Sequence, residues 1–184
     1  DPEACAVNLA SLLVPGGSAF LQIPNGQAVD YLRRDGHYGL FGITLLDRAA
    51  AERWWFLHYG HGDRYGVEHY APLPYYVDIF SRTGLSVRLL APFPDAGQLD
   101  EVVSSLDERF SLFERELDLL SHPDGPDLVE AIGRRGHEEI ERFRRLRDRY
   151  RQSSVAAERV IMGRTLYQDY QLTFWQLKAQ RLGG

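Results

Sequence analysis

The chain has 184 residues, 44% hydrophobic and 26% charged, enough for one domain with a substantial core and incompatible with disorder or a fibrous repeat. Its 21 Lys+Arg against 26 Asp+Glu give a net charge of −5, which argues against a broad nucleic-acid or anionic-membrane surface and confines any phosphate contact to a local site. The one cysteine, Cys5, excludes an intramolecular disulfide and a cysteine-rich zinc centre, and such usage fits a reducing cytoplasm.

The chain begins Asp1-Pro2-Glu3 and its only methionine is Met162, which reads as part of a longer translation product. No residue from Ala4 to Val29 is charged. Pro15-Gly16-Gly17 divides that stretch into pieces far shorter than the ~20 residues a spanning helix needs, and no basic segment precedes it as in a signal peptide.

Asp1 as cap, Pro2 in the first turn and Glu3 near the dipole's positive end predict a helix to about Leu13. The apolar run Ser18–Ile23 predicts a strand of a sheet covered on both faces, ended by the turn Pro24-Asn25-Gly26. Residues 26–46 show no clean period and read as an ordered loop. Asp47 caps a helix from Arg48 to about Leu57, with Trp54, Trp55 and Phe56 as packing groups. After Gly60, Gly62 and Gly66, the prolines Pro72 and Pro74 open a helix that stops at Gly84, and Leu85–Leu90 alternates as a strand.

From Leu99 the residues Val103, Leu106, Phe110, Phe113, Leu117 and Leu120 step by four and three along a long helix. His122-Pro123-Asp124-Gly125 breaks it. A second long helix, about Pro126–Gln152, completes a helical hairpin. A shorter helical stretch at Val155–Met162 leads into Tyr170–Ala179, alternating and aromatic enough for a strand. The order predicts an α/β fold: residues 1–94 as α/β domain, 95–165 as a helical insertion, and 166–184 as final strand and tail.

Asp1-Pro2-Glu3, then Leu9–Phe20 with its Pro-Gly-Gly turn, Leu21-Gln-Ile-Pro-Asn25, the stretch His69–Leu90, and the aromatic strand around Phe174-Trp175 together resemble the C-terminal half of a class I S-adenosylmethionine-dependent methyltransferase. The resemblance implies the fifth to seventh strands of a Rossmann-like sheet, with the last strand antiparallel and inserted between the other two. It covers residues 1–94 and about 166–181. The helical insertion is not part of the family's common pattern. Nor is there a match to its Gly-rich cofactor loop or its acidic strand end, because Gly60-His-Gly62-Asp-Arg-Tyr-Gly66 has the wrong spacing and follows no strand. The resemblance therefore implies that S-adenosylmethionine is bound mainly by residues upstream of Asp1.

Methyl transfer is an in-line displacement, for which a protein mainly aligns the nucleophile and excludes water; a base matters only where the nucleophile must lose a proton. The best candidate for that work is Asp35-Gly-His37-Tyr38-Gly-Leu-Phe41-Gly42, shortly after a strand end, where open α/β sheets bind ligands. His37 is the candidate catalytic residue, as base or substrate hydrogen-bond partner, and Tyr38 and Phe41 are candidate walls of an apolar substrate pocket. The alternative is that His37 and Tyr38 only order the loop. Asn25 is a further candidate for substrate binding, though a turn role suits it better, and His69 is another as a substrate-lining histidine.

His58, His61 and His69, with Asp63 and Glu68, are the one set with metal-ligand chemistry, but their spacing matches no established site. The arginine run Arg142–Arg151 shares its helix with Glu138, Glu139, Glu141 and Asp148, so a solvated or helix-packing face is expected, with i,i+4 pairs such as Glu138–Arg142 and Glu141–Arg145, in preference to nucleic-acid binding. The leading expectation is a cytoplasmic methyltransferase acting on a small molecule, without nucleic-acid or membrane partners, whose substrate-side half is this chain. The alternatives are a noncatalytic module whose hairpin docks a partner or a second copy, and a divalent-metal protein using the histidine loop.

Overall fold

The computed structural model describes residues 1–60, 65–67, 70–90 and 92–182. In chain order these form α1 (Pro2–Leu12), β1 (Ser18–Pro24), α2 (Val29–Arg33), α3 (Arg48–Tyr59), α4 (Leu73–Arg82), β2 (Leu85–Leu89), α5 (Leu99–Asp118), α6 (Pro126–Gln152), α7 (Ala156–Leu166) and β3 (Phe174–Arg181). The fold is mixed α/β, mostly helical, with a small three-stranded antiparallel sheet. Two compact units share the chain: residues 1–25, 70–92 and 174–184 form one, and 26–69 with 93–173 form the other.

The first unit holds the sheet. The strand order is β1-β3-β2, so the last strand in sequence lies in the middle, antiparallel to both neighbours. Register puts Leu21 and Leu89 on either side of Leu177, and Ala19 and Val87 on either side of Ala179. That face is closed by α4, whose Tyr76 meets the buried Trp175 edge-on at 6.3 Å between centroids. Helix α1 starts on Asp1, whose carboxylate accepts from the N–H groups of Glu3 and Ala4, and it buries Ala6 against α4.

The opposite face corrects the expectation of a doubly covered strand. Phe20 is 74% exposed, and Gln22, Gln176, Gln180, Ser86 and Arg88 are exposed with it. The apolar look of Ser18–Ile23 hid a one-sided sheet, because the central strand β3 alternates Trp175, Leu177 and Ala179 inward with Gln176, Lys178 and Gln180 outward. Strand β3 also starts later than expected. Tyr167–Gln171 is a π-helical turn that keeps Tyr170 buried in the helical unit, so the aromatic run from Tyr170 serves two elements.

The second unit is built on α5 and α6, 20 and 27 residues long. Leu99, Val103, Leu106, Phe110, Phe113 and Leu117 are all buried, together with Ile132, Ile140, Phe143 and Tyr150 from α6 and Leu32, Trp54, Leu166 and Tyr170 from elsewhere in the unit. Phe110 stacks on Phe143 at 4.1 Å, and Tyr170 closes edge-on over both rings. A Cβ on Gly136 would come within 2.7 Å of Leu117, so glycine is what lets the two long helices approach here. The stripe on α5 is consumed within its own unit, leaving a docking module no apolar face there.

Residues 26–46 hold more order than a loop reading allowed. They contain α2 and a single 3-10 turn at Ile43–Leu45. Five residues are too few for helical periodicity to register, and tertiary packing against α5 stabilises α2. In the run Arg142–Arg151 the pairs differ from the expected Glu138–Arg142 and Glu141–Arg145: Arg144 reaches Glu114 at 2.7 Å, Arg147 and Arg151 share Asp107, and Arg142 bonds Asp169 at 3.3 Å. They link helices, as a packing face should.

Candidate active-site loop

The loop that follows α2 is organised by one buried carboxylate. Asp35 is 3% exposed, and its oxygens accept from the backbone N–H groups of His37 at 3.0 Å, Tyr38 at 3.1 Å and Leu40 at 2.9 Å. An aspartate followed by a glycine can bend the chain back over its own side chain, and three charge-assisted bonds then fix the turn. Gly42 closes it with φ +70° and donates its N–H to the Leu32 carbonyl at 2.9 Å. A Cβ there would stand 2.4 Å from the Ile132 side chain, so the position needs glycine on two counts.

On this frame His37 is exposed and Tyr38 half-buried. The Tyr38 ring lies 5.4 Å from Tyr65, 6.0 Å from Trp55 and 6.2 Å from Tyr59, in the tilted and edge-on arrangements that aromatic quadrupoles favour. Its hydroxyl oxygen accepts from the N–H of Gly66 at 2.9 Å, and its carbonyl accepts from the Tyr59 hydroxyl at 2.5 Å. His37 approaches the same ring at 6.3 Å. Burial, followed by the nearby Asp35 carboxylate, pushes the Tyr65 phenol up to about 12, so it stays protonated at neutral pH. Arg48, the first residue of α3, lays its guanidinium 4.5 Å above the Tyr65 ring and donates to the Tyr65 carbonyl at 2.9 Å.

Phe41 faces inward. It stacks on Phe113 at 5.4 Å, and its carbonyl accepts from the Trp54 indole N–H at 3.0 Å. Asn25 sits in the sheet unit, fully buried at the end of β1. His69 lies outside the described residues, as do His61, Asp63 and Glu68. His58 donates its Nδ1 proton to the Trp54 carbonyl at 2.8 Å, since a carbonyl can only accept, and its ring lies 5.2 Å from His122. Among the described residues no group of three His, Cys, Asp or Glu could hold a metal ion, and no helix is long and apolar enough to cross a membrane.

The structure thus brings His37 and Tyr38 together on one loop and adds three residues that sequence reasoning passed over in this role: Asp35, Tyr65 and Arg48. The spacing Trp55–Tyr59, one helical turn, was a signal that those two rings share a face. Nothing in the pattern around Tyr65 announced its burial.

The amides of His37, Tyr38 and Leu40 are turned onto Asp35 and that of Gly66 onto Tyr38, so these four N–H groups are already committed. No family model, curated protein or solved structure matches the chain.

Proposed function

We propose that this chain is the substrate-side part of an S-adenosylmethionine-dependent methyltransferase acting on a small molecule. The observation that carries the reading is the strand order β1-β3-β2, with β3 antiparallel to both neighbours. The resemblance assigns β1, β2 and β3 to the fifth, sixth and seventh strands of a Rossmann-like sheet, and a last strand turned back between the other two is what that assignment requires. In this reading the uncharged outer edge of β1 pairs with the cofactor-binding half, which supplies the methyl donor.

The role left to these residues is positioning. In chain order the loop follows β1 and α2, and the resemblance makes a segment after such a strand a candidate for ligand binding. Asp35 fixes its backbone, Tyr38 and its aromatic neighbours offer an apolar wall, and the exposed His37 accepts a hydrogen bond, or a proton, from the nucleophile. A scaffold locked by three bonds to one buried carboxylate suits a reaction whose barrier falls mainly through alignment and exclusion of water.

Calorimetric titration with S-adenosylhomocysteine tests the reading in two arms. The 184 residues alone bind none, whereas the protein expressed from the reading frame extended upstream of Asp1 binds it and carries a strand, a Gly-rich loop and an acidic strand end. Tight binding by the 184 residues, or no binding by the extended protein, overturns the assignment.

A further inference from the structure

Among the described residues two buried side-chain polar atoms have no hydrogen-bond partner, Thr44 Oγ1 and Arg48 Nη1. Thr44 lies in the short stretch leading into α3, and Arg48 is the first residue of that helix. Native interiors leave few such groups, and each asks for a reason.

At Arg48 the surroundings supply one. Nη2 is committed to the Tyr65 carbonyl, and the guanidinium plane rests on the Tyr65 ring. The fork is therefore held in a single orientation. Glu52 Oε2 stands 3.9 Å from Nη1, within ion-pair reach but too far for a hydrogen bond, and the arginine side chain keeps 32% exposure. What remains is an oriented, permanently charged donor edge beside an aromatic cluster that includes Tyr38. A guanidinium edge of this kind matches the planar oxygens of a carboxylate, and the burial of Nη1 on a side chain that is otherwise partly exposed strengthens such a bond relative to open water.

We propose that Arg48 binds the carboxylate of a small-molecule ligand whose apolar body lies against the Tyr38, Tyr59 and Tyr65 cluster. Glu52 is then the internal competitor, a carboxylate on the same helix that holds the cation loosely until the ligand displaces it. Calling that ligand the substrate rests on the methyltransferase reading; the binding site does not.

NMR titration of the full chain with benzoate, its neutral match benzamide, and inorganic phosphate tests the proposal through the amide shifts of Tyr38, Tyr65 and Gly66. Benzoate is expected to saturate and benzamide to leave the shifts unmoved. Arg48→Gln is expected to weaken benzoate by about tenfold or more, and Arg53→Gln, at an exposed arginine paired with Asp127, to change nothing. Glu52→Gln removes the competitor, so benzoate should tighten severalfold; this variant decides the matter if Arg48→Gln fails to fold. Equal response to benzamide, stronger binding of phosphate than of benzoate, unchanged affinity in Arg48→Gln, or no tightening in Glu52→Gln overturns it. No methyl donor is present, so benzoate binding without cofactor binding by the upstream-extended protein would sink the methyltransferase reading alone.

Discussion

Asp35 shows how much a single side chain can decide. Its carboxylate satisfies three backbone donors that would otherwise be left in a partly buried turn, and removing an acceptor from buried donors costs more than the bonds themselves are worth on balance. Asp35→Ala is expected to lower stability by about 2–4 kcal/mol, read from the urea midpoint, and to release Tyr38 from the Tyr65 ring, read from aromatic NMR shifts. Asp169 makes the opposite case. Burial holds its carboxyl above the usual range despite the opposing pull of Arg142. Between its ordinary and its raised value the folded state binds more protons than the unfolded chain, so stability falls as pH rises through that window, and the penalty is fully present above it. Asp169→Asn should therefore stabilise the protein at pH 7, the gain fading as pH falls through that window, while Arg142 keeps Glu139 as partner. Glu116 titrates with the reverse sign: its hydrogen bond from Arg33 holds it low, so its contribution is present at neutral pH and lost as pH falls through its depressed value. Comparing Asp169→Asn with the parent at each pH separates the two.

At the scale of elements, the helices that were legible in the sequence are those with many turns. Helices α5 and α6 follow the residues named from periodicity almost to their ends, because a stripe repeated over five or more turns leaves little room for another reading. The failures are short or composite elements. Helix α2 depends on α5 for its stability, and the π-helical turn at Tyr167–Gln171 shares its aromatic run with β3. Phe113 sits where α5, α6 and the candidate loop meet, stacked on Phe41 and close to Phe110. Phe113→Ala is expected to cost about 3–5 kcal/mol by thermal or denaturant unfolding and to disturb the loop amides from His37 to Gly42. Substitution of the exposed Phe20 by Thr should fall within about 0.5 kcal/mol of the parent.

For the whole molecule, the division into a sheet unit and a helical unit follows from where apolar surface is closed. The sheet has one covered face, and its middle strand is bonded along both edges. Hydrogen exchange measured residue by residue should find the β3 amides from Leu177 to Gln180 the slowest in the sheet unit, with the outward amides of β1 and β2 exchanging orders of magnitude faster. Equal protection across the three strands would contradict the strand order. The helical unit carries the candidate loop on a continuous core from α2 to Tyr170, which gives a binding loop a rigid support.

The sequence by itself determined the punctuation and the long helices: the Asp1 cap, the Pro-Gly-Gly break, the hairpin of α5 and α6, and the loop bearing His37 and Tyr38. These depend on interactions a few residues apart, so local pattern carries them. Only the tertiary structure decided that one face of the sheet is open, that Asp35 collects the amides of the loop, and that Tyr65, with Arg48 over its ring, lies against Tyr38. Strand partners and buried polar contacts join residues far apart in the chain, and what selects them is the closure of a shared core and the pairing of each buried donor, neither of which leaves a periodic mark on the sequence.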